Sequence, residues 1–304
     1  MEYRSFEELI QKTKDCRSSC RLVLAAAADK HSLEAVFRAQ DQGLVSPVLV
    51  GDKVQIDAIL AELRREVPSE DVYDVPDLAE SCKKAVSLIK EAKADFLMKG
   101  KVDTKIFLKA VVDKENGLSE GDVMSHFSIF EVPGYHKLLV PVDGGMVPYP
   151  TLEQKKAIIE NTVGVLHRFG YECPKVGVVT CVEKVNPKMP ETVEAAALAE
   201  MNRNSEIFGC LVDGPISFDC AVNKEIAACK GYTSEIAGDV DVLLAPNIHV
   251  GNIMGKMLTC FAGAKMAGFV AGASCPIIMT SRGSGADEKY YSIALAAAAS
   301  EDNR

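Results

Sequence analysis

A chain of 304 residues is long enough for one large or two medium domains, each with its own core, and two is the expected number. Its formal net charge of −9 and pI near 5.2 argue against nucleic acid or an anionic membrane as the main partner, because both demand a basic face. An anionic substrate must therefore be caught by local lysines and arginines. The ten cysteines are scattered without a Cys-x-x-Cys pair, and the polar start Met1-Glu2-Tyr3-Arg4 does not read as a secretory signal, so reduced thiols in a cytoplasmic protein are expected. Cys16 and Cys20 are spaced as on one helical turn, but no neighbouring His or Cys cluster completes a metal site and no metal is expected. The longest nearly apolar stretch, 257–273, carries Lys265 and is too short to span a bilayer.

In chain order the pattern predicts strand Arg21–Ala26, a helix from about Leu33 to Gln42 ended by Gly43, strand Pro47–Val50, helix Val54–Glu66, strand Asp95–Met98 and helix Thr104–Lys114. This rhythm implies βαβ units: an α/β fold with mainly parallel sheets and helices on both faces, its sites at the strands' C-terminal ends. Between Phe127 and Pro150 short strands and turns follow without helices, which marks a crossing into a second domain. Alternation then resumes with helix Leu152–Phe169, strand Lys175–Thr180, helix Pro190–Met201, strand Ile207–Asp213, helix Ala221–Lys230, strand Val240–Ala245 and helix Val250–Gly268. A last strand, Ile277–Thr280, and a helix from Asp287 close the pattern.

The most informative stretch is Pro276-Ile-Ile-Met-Thr-Ser-Arg-Gly-Ser-Gly-Ala-Asp-Glu-Lys289, a buried strand, a turn and a helix start. Ser281, Ser284 and the flexible Gly283 and Gly285 let backbone N–H groups converge where the helix dipole also favours an anion, and Arg282 adds a fork that grips two oxygens at once. Gly/Ser-rich turns of this kind also arise for structural reasons alone, and Arg282 tips the reading toward a site. Lys99-Gly-Lys101 follows a strand and reads either as a phosphate-binding edge or as a solvated loop. Asp213-Gly-Pro-Ile-Ser-Phe-Asp219 sets polar groups at a strand end and a helix start, where Ser217 or Asp219 serves as the cap. Asn252 and Lys256 share a helix face at i, i+4, next to glycines that also suit close packing; His249 reads as a turn residue. Asp287 and Glu288 open the final helix as ordinary dipole partners or as a general base, with Asp287 favoured. No P-loop, His-Glu-x-x-His or Gly-x-Ser-x-Gly motif is present, so nucleotide hydrolysis, zinc proteolysis and esterase chemistry lose support.

Taken together, Leu97-Met-Lys-Gly100 with Thr104, Ser125-His126 through Phe130-Glu-Val-Pro-Gly134, Leu152-Glu-Gln-Lys155, Glu183-Lys-Val-Asn-Pro-Lys-Met189, Asp213-Gly-Pro215 with Asp219, Gly251-Asn252 with Lys256, and Thr280-Ser-Arg282 with Lys289 resemble the phosphate acetyltransferase/phosphate butyryltransferase family, and its butyryltransferase branch most. The resemblance implies a two-domain fold like that of isocitrate and isopropylmalate dehydrogenases, here expected as 1–138 plus 276–304 and 139–275 with the active site in the cleft between them. It implies a homodimer or higher homo-oligomer and the reaction acyl-CoA + phosphate ⇌ acyl phosphate + CoA, with CoA as substrate and no permanently bound cofactor. The branch usually carries Ser-Arg-Ala/Ser-Asp-Ser followed by Glu and Lys; here Ser284 replaces the Asp and Asp287 stands where the Glu is expected.

On this reading Arg282 binds phosphate and the developing oxyanion, Ser281 donates to the latter, and Asp287 or Glu288 takes the thiol proton. Lys99, Lys101, His126, Asp213, Asn252, Lys256, Thr280 and Ser284 bind phosphate or CoA, and the cysteines, within apolar runs and away from any His, form no acyl intermediate. The expected acyl group is butyryl or a similar short chain, with acetyl or propionyl as the alternative. Two competitors stand beside it: a metal-dependent hydroxyacid dehydrogenase on the same fold, which needs converging carboxylates, and a non-catalytic acyl-CoA or anion sensor, which binds CoA without turnover.

Overall fold

Short apolar runs become buried strands, and many of the segments between them, opened by Asp, Asn or Thr caps, become helices. The computed structural model describes residues 2–16, 20–121, 123–280, 283 and 285–300. The chain divides into two units, neither contiguous: Met1–Leu9 with Val123–Met266, and Ile10–Asp122 with Ala267–Arg304. The exchanges at 122/123 and 266/267 stand where the sequence reading set 138/139 and 275/276.

From the N-terminus run α1 (Phe6–Cys16), β1 (Cys20–Ala25), α2 (Lys30–Asp41), β2 (Val45–Gly51), α3 (Lys53–Leu63), β3 (Val72–Asp74), α4 (Leu78–Lys90), β4 (Phe96–Lys99) and α5 (Thr104–Val111). Asp52, Asp77 and Asp103 cap α3, α4 and α5 by accepting first-turn N–H groups. The next stretch holds β5 (Ser125–Glu131), β6 (Val140–Val142), α6 (Leu152–Arg168), β7 (Lys175–Thr180), α7 (Pro190–Arg203), β8 (Leu211–Ser217), α8 (Phe218–Val222), α9 (Lys224–Cys229), β9 (Val242–Leu244) and α10 (Ile248–Phe261). Thr151 and Gln154 form a reciprocal capping box on α6. The chain ends with β10 (Lys265–Ala271), β11 (Ile277–Ile278) and α11 (Ala286–Ala299).

In the unit built on β1, strands run in the order β3-β2-β1-β4-β11-β10, parallel except for β10 against β11. Leu22–Ala25 are fully buried, as expected for a central strand covered on both faces. Helix α2 packs on α11 and α4 on α5. In the other unit the order β6-β9-β7-β8 is wholly parallel, over a core that includes Phe130, Leu139, Ile216, Val240 and Leu243.

Several expected elements differ. The helix expected over 250–268 stops at Phe261, where Gly263 turns the chain at φ +64° and Lys265 starts a strand; an apolar Ala/Gly-rich run is compatible with either state. The strand expected at 207–213 lies at 211–217, since Gly209 (φ +76°) holds a turn and Gly214-Pro215 sits inside β8, at a shift of register against β7. The helix expected at 221–230 is two short ones, broken at Asn223, whose side chain caps the second. α1, β3 and α4 were not among the expected elements, and Cys16 ends a helix whereas Cys20 begins a strand.

The N-terminal residues are pinned into their unit. Tyr3 donates to the Phe169 carbonyl at 2.7 Å, and Phe6 and Leu9 are buried. Lys137, 1 % exposed, places Nζ 2.8 Å from Asp241, 3.0 Å from Asp239 and 3.1 Å from Glu2. Removing one member of a buried ion cluster leaves the other charges desolvated, so Lys137→Met should destabilise this unit by about 3–5 kcal/mol. Urea unfolding followed by circular dichroism checks this; an unchanged midpoint would show that the cluster contributes nothing.

Candidate active site

The β1-bearing sheet reverses its order between β1 and β4, because the chain walks from β1 to β2 and β3 in one direction and then places β4 on the other side of β1. Such a reversal opens a crevice beyond the strands' carboxyl ends. A pocket of about 510 Å³ lies there, lined by Asp29, His31 and Ser32 after β1, Lys99 through Asp103 after β4, Thr280 after β11, Lys289 on α11, and Leu78. Gly100 permits the construction: a Cβ there would stand 2.4 Å from the Ala26 carbonyl oxygen and 2.7 Å from that of Ala25. Gly100 and Lys101 instead donate their N–H groups to these carbonyls at 2.8 and 3.0 Å, and Ala26 adopts φ 51°. Lys99, 8 % exposed, turns Nζ toward the carbonyls of Gly100 and Val102 at 3.3 and 3.2 Å, while Lys101 is exposed.

Ser281, Arg282 and Ser284 lie outside the described residues. Gly283 is an exposed turn residue and Gly285 the N-cap of α11. Asp287, 75 % exposed on its side chain, accepts from Arg38 Nη1 at 2.5 Å, and that guanidinium stacks 4.0 Å from the Tyr290 ring. Glu288 is half-buried.

In the other unit the loop after β6 is organised by the buried Asp143. Its carboxylate accepts four backbone N–H groups, from Gly145 at 2.6 Å, Met146 at 2.8 Å, His126 at 3.0 Å and Val147 at 3.3 Å. The His126 ring packs so closely on Gly145 that a Cβ there would meet it at 3.1 Å. Helix α10 closes on the same loop: a Cβ on Gly251 would stand 2.3 Å from the Asp143 carbonyl oxygen, and Asn252 donates to the Gly144 carbonyl at 3.0 Å. Asn247 caps α10, and Lys256, one turn beyond Asn252, is exposed.

Asp213 is the third residue of β8, not its end as the sequence reading had it. Its carboxylate is taken up within the unit by Gly214 N–H at 2.8 Å, Tyr232 hydroxyl at 3.2 Å and Ser234 hydroxyl. At the ends of β7 and β8, Glu183, Asp219 and Cys220 form the group among the described residues that could hold a metal. There the Ser217 hydroxyl lies against both carboxylates, and Lys230 Nζ stands 3.0 Å from Glu183 and 2.9 Å from Asp219, where an added cation would sit. Ser217 and then Lys230 hold the Asp219 carboxyl down to about 2. A larger groove of about 990 Å³ is lined mainly by the surfaces of α4 and α5, with Val75 beyond β3 at its edge.

Of the sequence-predicted residues, Lys99, Lys101 and Thr280 thus share one pocket, and His126 and Asn252 hold one loop. Asp29, Ser32, Lys289 and Asp143 were missed as functional candidates. Asp143 follows an apolar strand directly and Asp29 follows the alanine run that continues β1, a usable signal; Lys289 enters the sequence reading only as part of the motif with Thr280-Ser-Arg282, without a role.

Residues 75–297 match the family described as phosphate acetyl/butaryl transferase. A phosphate butyryltransferase of Clostridium acetobutylicum is 41 % identical over 294 residues, 97 % of each chain. A phosphate acetyltransferase of Thermotoga maritima is 42 % identical over 277 residues, 91 % of this chain and 94 % of its own. Among solved structures, a branched-chain phosphotransacylase from Enterococcus faecalis superposes with a TM-score of 0.79 at 28 % identity, covering 93 % of this chain and all of that one. A 4-hydroxythreonine-4-phosphate dehydrogenase from Burkholderia phymatum shares the fold at a TM-score of 0.55, with 14 % identity over 94 % of this chain and all of that one.

Burial drives the His126 imidazole below its ordinary value, and the Asp143 charge offsets part of that shift. The fold therefore favours neutral His126, a contribution complete above the unfolded value of about 6.5 and lost as pH falls through the depressed folded one. An NMR titration should find His126 neutral at pH 6.5; a midpoint at or above that would contradict the assignment.

Proposed function

Because the chain belongs to the phosphate acetyl/butaryl transferase family, we propose that it passes a butyryl or similar short acyl group reversibly between coenzyme A and phosphate, in a ternary complex without an acyl-enzyme. It is an acyltransferase, with CoA as a substrate. The observation that carries the site assignment is the pocket over the β1 and β4 ends, where a chain of net charge −9 gathers Lys99, Lys101 and Lys289 around a single crevice.

Attack by a phosphate oxygen on the thioester carbonyl forms the new C–O bond and places negative charge on the carbonyl oxygen; collapse breaks the C–S bond and releases thiolate. Two anionic reactants must be held together against their repulsion, which is the task of preorganised cations. Lys99 and Lys101, with Thr280, take phosphate or CoA oxygens in the pocket. Arg282 and Ser281 stabilise the oxyanion, and Ser284 adds a donor beside them. His126 on β5 and Asn252 and Lys256 on α10 serve the CoA or phosphate oxygens.

In the reverse direction the thiol must lose its proton before attacking the acyl phosphate. The Asp287 carboxylate is taken up by the Arg38 guanidinium. Half-buried Glu288 takes that role here, in place of the Asp287 favoured by the sequence. Asp213, engaged by Tyr232 and Ser234, orders its own unit and is left out of the binding set.

Homo-oligomer formation is supported by α10, which exposes Val250, Ile253, Met257 and Phe261 at helical spacing, Phe261 at 86 %. A cytoplasmic setting fits the nine cysteines from Cys20 to Cys275, none of which is in a disulfide. No helix among the described residues is long and apolar enough to cross a membrane.

Free thiol should appear from butyryl-CoA, and from acetyl-, propionyl- and isobutyryl-CoA at other rates, only when phosphate or arsenate is present. Arg282→Ala should lower turnover by about 10²–10³-fold, and Glu288→Gln should slow acylation of CoA more than Asp287→Asn does. Thiol release that ignores phosphate would refute the reaction; a fully active Arg282→Ala would refute the site; CoA binding without turnover would indicate a sensor.

A further inference from the structure

We propose that Lys289 binds a phosphoryl oxygen of the substrate in this pocket and that Asp29 holds the ammonium in place for it. The proposal rests on the acyl-transfer reading above for which substrate brings the phosphoryl group.

Lys289 sits on the first turn of α11 with its side chain 10 % exposed. Placing a lysine there costs desolvation unless its charge is answered. The answer is incomplete. Nζ stands 3.8 Å from Asp29 Oδ2 and 3.5 Å from Ser32 Oγ, separations at or beyond the limit of a hydrogen bond. The same Asp29 oxygen accepts the Ser32 hydroxyl at 2.5 Å, so the carboxylate spends its close contact on Ser32. Asp29 fixes the direction of the ammonium at ion-pair distance, and the three donors of Lys289 have room for a stronger acceptor.

The setting selects the ligand's chemistry. Lys99, Lys101 and Lys289 line one crevice together with Ser32 and Thr280. Three lysines concentrate positive charge along one crevice, which suits an anion with several oxygens, and a phosphoryl group is such an anion. Its source is inorganic phosphate and the acyl phosphate product, or else the phosphates of CoA. Asp29 is a positioning residue, since it would repel the ligand it helps to bind.

The test compares wild type, Lys289→Met, Lys289→Arg and Asp29→Asn by steady-state kinetics with phosphate and butyryl-CoA varied separately. Calorimetric binding of inorganic phosphate without acyl-CoA and thermal unfolding accompany it. Loss of a charge-assisted hydrogen bond should raise the KM and Kd for phosphate by about tenfold or more in Lys289→Met, with partial recovery in Lys289→Arg and a smaller rise in Asp29→Asn. A rise confined to the KM for butyryl-CoA would support the proposal with CoA as the source. Unchanged constants for both substrates overturn it, even if the unfolding temperature falls. Lys289→Gln gives the same readout if the Met variant does not fold. Wild-type protein that binds phosphate but shows no phosphate-dependent thiol release would refute the acyl-transfer reading, while the calorimetric comparison would still decide the role of Lys289.

Discussion

Connections that leave β1 and β4 toward opposite sides of the sheet cannot cover the ends of both strands, and the pocket exists because of that geometric constraint. Its chemical character comes from Asp29 and Ser32 after β1, Lys99 at the end of β4 with Lys101 beyond it, Thr280 after β11 and Lys289 on α11. On a chain of net charge −9, the crevice still gathers three lysines, Lys99, Lys101 and Lys289. Gly100 sets how near the lysine loop comes to β1, since any side chain there would collide with two backbone carbonyls.

The loop after β6 solves a related problem with the opposite charge. Asp143 draws four N–H groups toward one buried carboxylate and so makes an irregular segment rigid. His126 packs closely on Gly145, and the first turn of α10 approaches so near that only a glycine at 251 allows it. Preorganisation of this kind lets a loop carry precise groups without moving when a substrate arrives.

The alternation of strands and helices was legible in sequence because covered strands are short and apolar and many helices announce their caps. Lys99-Gly-Lys101 was legible for the same reason: it directly follows a strand. What escaped depends on contacts distant in sequence. Lys289 lies 257 residues from Ser32 and 260 from Asp29, so its motif beside Thr280 does not show which groups meet its ammonium. Asp287 looked like the better base until Arg38, 249 residues away, was seen to hold it. The misplacement of β8 and β10 has a different cause: Gly-Pro inside a strand imitates a turn, and an Ala/Gly-rich apolar run satisfies either period.

The interleaving of the two units bears on how the protein is made. A chain emerging from the ribosome delivers 2–9 first, yet their partners begin at Val123, so Tyr3, Phe6 and Leu9 remain apolar and unshielded while more than a hundred residues of the other unit pass. That other unit in turn lacks β10, β11 and α11 until the stretch beyond Met266 is out. Neither core can close during early synthesis, and the crevice lined by Thr280 and Lys289 is completed among the last events. A stall between residues 123 and 266 therefore leaves both units unfinished, and an earlier one leaves the first nine residues with no core to join.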